Sequence, residues 1–386
     1  MKLADYFDPV AELEDYRLGE SSVFGTGIQA NRPGGKFPGW EKADIAIIGI
    51  SEYRGSHRDN CSQAADRARE CLYNLSRPSE NMKIADLGNL RSGKTHNDSL
   101  VAIADIATAL TAENTIPLLI GGSSDIAAAL FRAFEKNKRV TNLTSVDSRP
   151  GMASDHFPDA PPVQSWLAGI ISSKSKYLFN YTSIGYQSYF TGTLEKRLLD
   201  DMMFDGMRLG LVRENLKEAE PVIRDTDLMV MSMSAVRQAD APAALFPSPN
   251  GFHGEEICQL AWYAGKSERL SAMAITNWFG GYDVRDHTAR QAAQMAWYFA
   301  DGFYRRDGEY PFTPSADCTK FIVNLTDTGN EIVFYKSNKS DRWWMEVPSS
   351  KLPKSLMVAC SYEDYQRACH QEVPERWWQN FRKVNH

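Results

Sequence analysis

Apolar, β-branched runs alternate along this chain with segments whose apolar residues recur every three or four positions. That is the pattern of a parallel sheet covered by helices on both faces. Asp44 to Ile50 reads as a buried strand, and Cys61 to Leu75 as the helix after it, with Ala64, Ala65, Ala68 and Leu72 on one face. Asp98 to Leu110 reads as a helix, and Ile116 to Ile120 as a strand ending at a Gly-Gly pair. A helix from Asp125 to Phe134 and a strand from Val140 to Val146 follow, with Asp147 at the strand's carboxyl end. Two further strands are predicted at Asp227 to Ser232 and Leu270 to Ile275. The helix Glu255 to Ala264 lies between them, with Gly265 as its expected C-cap. Thr288 to Phe303 is an amphipathic helix.

The pattern changes after Arg306. Phe321 to Leu325 and Glu331 to Tyr335 alternate as strands, with a hairpin loop at Thr326 to Asn330. The tryptophan pairs Trp343-Trp344 and Trp377-Trp378 are expected to form a small core or to dock this part on the rest. The expected organisation is an N-terminal extension over 1–43, an α/β domain over 44–306 and a C-terminal appendage over 307–386. The Gly/Pro-rich stretch Asn31 to Gly39 reads as a loop.

With 43% hydrophobic and 24% charged residues, the composition is that of an ordinary globular protein. A net charge of −6 argues against a nucleic-acid partner. No apolar run is long enough to span a membrane, and residues 1–8 lack the regions of a signal peptide. Six cysteines without a Cys-x-x-Cys pair are expected to be free thiols in a reducing cytoplasm. No dinucleotide fingerprint, phosphate loop or nucleophile elbow is present.

Three segments carry the chemistry. Ile120-Gly121-Gly122-Ser123-Ser124-Asp125 resembles Gly-Gly-Asp-His, and Ser145-Val146-Asp147-Ser148-Arg149-Pro150-Gly151 resembles Asp-Ala-His-x-Asp. Met231-Ser232-Met233-Ser234-Ala235-Val236 resembles Ser-x-Asp-x-Asp. All three fall at predicted strand ends, where open α/β sheets bind ligands. Tyr181 to Gln187 resembles a strand ending in Ile-Gly-x-Arg, and Asn250 to Glu256 a Gly-Gly-Leu-Thr-x-x-Glu helix start. Together these motifs resemble the ureohydrolases of the arginase, agmatinase and formimidoylglutamase family, in a divergent formimidoylglutamase-like branch. The resemblance covers about Asp44 to Phe303. It implies a three-layer αβα fold with a mostly parallel sheet, here with a C-terminal α+β extension.

The resemblance also implies where the family's two manganese ions would be held. Its first His falls on Ser124, and the Asp, His and Asp of its second motif fall on Asp147, Arg149 and Gly151. The two Asp of its third motif fall on Ser234 and Val236, and no Asp or Glu occurs between Leu228 and Ala239 to rescue a shifted register. The Glu that holds the substrate's cationic group falls near Asn277. Two close divalent cations need several carboxylates and imidazoles. The expectation is therefore a pseudoenzyme with no catalytic residue and no cofactor, retained for binding or as a scaffold. Its vestigial cleft would comprise Ser124, Asp125, Asp147, Arg149, Ser234, Asn277 and Glu52.

Arg149 puts a permanent cation at a former metal position, and two readings stay open for it. It fills the hole and neutralises Asp147, or it points into solvent. The expected partner is a protein or a small anionic or zwitterionic ligand, and a homo-oligomer is compatible with the sequence. The alternative is an active C–N hydrolase with Mn2+ at a relocated site drawn from Asp155, His156, Asp125 and Asp147. His96 and His253 read as residues at helix starts, with Asp98 stabilising the first turn after His96.

Overall fold

The computed structural model describes residues 2–10, 22–56, 63–152, 160–315, 317–325 and 331–385. The Asp155-His156 pair and the hairpin loop at Thr326 to Asn330 lie outside them. The first strands are β1 (Phe7–Asp8), β2 (Gln29–Ala30), β3 (Ile45–Ile50), β4 (Ile84–Leu90) and β5 (Ile116–Gly121). They are followed by β6 (Thr141–Val146), β7 (Leu178–Tyr186), β8 (Asp205–Arg208), β9 (Leu228–Ser232) and β10 (Ala272–Thr276). These ten strands form one sheet in the order β1-β4-β3-β5-β10-β9-β6-β7-β8, with β2 also on β4. All pairs are parallel except β1 on β4. Strands from the first 43 residues thus join the sheet at one edge.

The central strands are apolar throughout because helices cover both faces. In β3, Ile45 and Ile47 pack on one layer with α1 (Ala64–Tyr73). Ala46, Ile48 and Ile50 face the other, with α2 (His96–Ala112), α3 (Ile126–Lys136) and α4 (Pro162–Ser172). Leu199 of α5 (Thr193–Asp201) joins that second layer. The first layer also takes α6 (Leu209–Glu214), α7 (Ala219–Arg224), α8 (Gly254–Lys266) and α9 (His287–Phe303). Gly265, expected as a C-cap, lies inside α8 instead. A Cβ there would sit 2.1 Å from the Phe299 carbonyl oxygen, so the glycine lets α8 and α9 touch backbone to backbone. Among the described residues, no helix is long and apolar enough to cross a membrane.

After α9 the chain builds an antiparallel sheet in the order β11 (Cys318–Asn324), β12 (Glu331–Ser337), β13 (Trp343–Val347), β14 (Leu356–Cys360). Two helices, α10 (Tyr362–Cys369) and α11 (Glu375–Asn385), complete it. Trp343 and Trp377 enter the core of this extension with Phe334, Met345 and Val347. Trp344 is also buried, stacked on Phe312 at 3.9 Å, whereas Trp378 is 44% exposed. The extension docks at α7 and at the start of β7. Arg224 donates to the carbonyls of Trp343 and Cys360, Ala359 N–H donates to Asp225, and Lys383 donates to Asn180. These contacts lie at the amino ends of the parallel strands, opposite the carboxyl edge that carries the three motifs.

Candidate functional site

Strands β5, β10, β9 and β6 are consecutive neighbours, so their carboxyl ends meet. The turn Gly122–Asp125, Asn277, the Ser232–Ser234 turn and Asp147 follow them directly. The β5 turn depends on glycine. Gly121 and Gly122 have φ of 98° and 75°, and a Cβ on Gly121 would lie 2.3 Å from the Ile50 carbonyl oxygen.

Asn277 organises the centre. Its carboxamide oxygen accepts Ser124 N–H at 2.9 Å. Its Nδ2 donates to Ser124 Oγ at 3.0 Å and to Ser232 Oγ at 2.9 Å. Ser232 Oγ also accepts Ser234 N–H at 3.1 Å, and the Ser148 hydroxyl donates to Asp147 at 3.3 Å. Ser234 Oγ accepts Phe246 N–H at 3.2 Å. Asn277 has φ of 69°, a left-handed conformation that asparagine tolerates better than most residues. Burial pushes the Asp147 carboxyl up to about 6, against hydrogen bonds from Ser232 and from the N–H groups of Ser148 and Arg149.

Arg149 does not neutralise Asp147, as one reading of the sequence expected. Its guanidinium turns to Phe190 and Phe246, with Cζ 4.2 Å and 5.6 Å from their ring centroids. Two residues of extended chain would place both side chains on one side, but the turn after β6 breaks that alternation.

A second cluster stands beside the first, joined through the hydrogen bond from Ser123 N–H to the Glu52 carbonyl. Here His96 is held between two buried carboxylates, its Nε2 2.6 Å from Asp125 and its Nδ1 3.1 Å from Glu52. Hydrogen bonds to Asp125 and Glu52 raise His96 to about 9, so it is an imidazolium at neutral pH. Burial works to raise the Glu52 carboxyl, but hydrogen bonds from His96, Arg54 and Ser99 outweigh it and hold it at about 2. Arg54 grips Glu52 through Nε at 2.9 Å and through Nη2, and Ser123 Oγ donates to Asp125. Thr95 and Asp98 form the capping box of α2, which sets His96 as its first residue. The expected helix-start role of His96 and Asp98 is present, and the carboxylate clamp is an addition to it. The sequence marked His96 only as a helix-start residue, because Asp125 is 29 residues away, and it did not mark Arg54. Ser232 was overshadowed by Ser234, which occupies the motif position.

At the six positions where the resemblance placed ligands, the side chains do not fit a pair of divalent cations. Asp147 is the one carboxylate, Ser124 and Ser234 offer hydroxyls already in hydrogen bonds, Arg149 is a cation, and Val236 is fully buried. Gly151 has φ of 70°, and a Cβ there would lie 2.5 Å from Trp166 Nε1. An aspartate therefore cannot be returned to that position without displacing Trp166. Gly151→Asp is expected to cost about 2 kcal/mol, from left-handed strain and overpacking, read as a lower urea midpoint. Among the described residues, no group of three or more His, Cys, Asp and Glu is arranged to hold a metal ion.

The arginase family model matches residues 43–301. The chain belongs to the arginase family. Within that family it is similar to a formimidoylglutamase from Staphylococcus haemolyticus, 21% identical over 276 residues, which cover 67% of this chain and 86% of the relative. Among solved structures, the formimidoylglutamase of Bacillus subtilis matches with a TM-score of 0.66 at 17% identity, over 80% of this chain and 98% of that one. Trypanosoma cruzi formiminoglutamase with Mn2+ matches with a TM-score of 0.64 at 20% identity, over 69% of this chain and 95% of that one. These structural likenesses concern the arginase fold alone.

Proposed function

We propose that this arginase-family protein is a pseudoenzyme, a binding or scaffold protein whose cleft works without manganese. The observation that carries the reading is the Asn277 carboxamide, bonded to both Ser124 and Ser232. A hydrogen-bonded network of neutral groups joins the ends of β5, β10 and β9, three of the strand ends that a dinuclear centre would otherwise bridge. Hydrolysis of an amidine in this cleft needs a metal-activated water, and the donors that would hold the metal are engaged with one another.

The test is turnover. The purified protein, supplied with manganese, is incubated with formimidoylglutamate, arginine and agmatine. No product above that of a heat-denatured control is expected. Turnover that disappears on chelation and returns with manganese would overturn the proposal in favour of a relocated hydrolase site.

A further inference from the structure

Arg149 is the cation that the cleft does not use. Its guanidinium lies against Phe190 and Phe246, and its Nε is buried without an acceptor. The two nearby carboxylates have other donors: Glu195 accepts the Gly192 N–H at 2.7 Å and feels Arg149 only through its field, and Asp147 accepts the Ser148 hydroxyl at 3.3 Å. The rim beside it is fixed. Gln187 N–H donates to the Ser148 carbonyl at 3.0 Å, and Gln187 Nε2 donates to the Asn250 carbonyl at 3.1 Å. The flanking rings limit the motion of the guanidinium, so little rotamer freedom remains to be lost on binding.

We propose that Arg149, framed by Phe190 and Phe246, is the binding residue for a small aliphatic carboxylate in the cleft. A planar guanidinium fork matches the two oxygens of a carboxylate in a way that a point charge does not. The rings offer apolar contact to the ligand's carbon chain, and the guanidinium's attraction has to outweigh the field of the neighbouring Asp147 and Glu195. The ligand is a free small molecule, because the donor Nε is recessed beneath the surface. The proposal rests on the reading of the cleft as a metal-free binding site.

Sodium glutarate is the probe, titrated into metal-stripped full-length protein and followed by calorimetry and by the 15Nε–1H signal of Arg149. Saturable binding is expected, with slowed exchange of the Arg149 Nε proton. Arg149→Gln is expected to weaken binding about tenfold or more, and Arg149→Lys nearly as much because it keeps the charge and loses the fork. Phe190→Leu is expected to weaken it several-fold, while Arg91→Gln, on an exposed arginine by β1, leaves it unchanged. Equal losses in all four variants, or inorganic phosphate binding as tightly as glutarate, would overturn the carboxylate assignment. Absence of binding at about 10 mM in protein that still carries no manganese would sink this proposal alone. Binding that appears only after manganese is restored would instead sink the metal-free reading on which it rests.

Discussion

Arg224→Ala is expected to loosen the C-terminal extension from the α/β domain. Arg224 is buried in α7 and donates through Nη2 to the Trp343 carbonyl at 3.0 Å and the Cys360 carbonyl at 3.1 Å. Its Cζ lies 4.4 Å from the Trp344 ring, and its Nε is 3.4 Å from Glu220. Alanine removes this donor from two interior carbonyls and leaves Glu220 without one of its cations. The expected cost is about 4 kcal/mol, since breaking a buried charged contact forfeits the partners' desolvation as well as the contact. Urea denaturation should show a large loss of stability, and limited proteolysis should cut after Asp307 in the variant but not in the wild-type protein. A variant within about 1 kcal/mol of wild type, equally resistant to protease, would mean that the tryptophans and α11 hold the extension without this arginine.

His96→Ala carries the second large effect. Glu52 and Asp125 face one another across the imidazolium, both nearly buried. Removing the cation leaves two carboxylates opposed, with a cost of about 3 kcal/mol near pH 6. The pH dependence gives the sign. The His96 value is raised from 6.5 to about 9, so its stabilising contribution is complete below 6.5 and is lost as the pH climbs to 9. The Glu52 value is lowered from 4.5 to about 2, so its contribution is complete above 4.5 and is lost as the pH falls toward 2. Asp147, raised from 3.8 to about 6, favours the folded state below 3.8 and loses that advantage by 6. Wild-type stability should therefore decline between pH 6.5 and 9, and that decline should vanish in His96→Ala. A variant whose alkaline limb matches wild type would show that the clamp does not hold an imidazolium.

The parts of the fold that were legible in the sequence are those that follow a single physical rule. Ile45–Ile50, Ile116–Gly121 and Ala272–Thr276 are apolar on both faces because both are covered, and the sequence reading placed each within two residues of its observed bounds. Strand β4 escaped because Ile-Ala-Asp-Leu-Gly-Asn-Leu interrupts its apolar run. Asp86 sits in the interior as the counter-ion of the buried Arg69, at 2.7 Å, and accepts Tyr73 at 2.8 Å. Strand β13 escaped because Trp343-Trp344 reads as an aromatic anchor before it reads as a strand.

The candidate site was legible as a location and only in part as a set of contacts. Motif order places Ser124, Asp147, Ser234 and Asn277 at neighbouring strand ends. It does not reveal that Asn277 is the hub, that Ser232 bonds to Asn277, or that Arg149 turns toward Phe190. Those outcomes depend on side-chain directions at turns, where the alternation that governs strands no longer applies. The pairing of His96 with Glu52 and Asp125 joins the starts of three different segments, and helix signals report only the local capping role.

The central claim, a cleft that works without manganese, is tested most directly by elemental analysis of the purified protein. The protein is first incubated with excess Mn2+ and then dialysed to remove what is loosely held. The account predicts far less than one equivalent of manganese per chain, with a melting temperature that chelator does not change. Two equivalents retained through dialysis, with a melting temperature that falls on chelation, would contradict it.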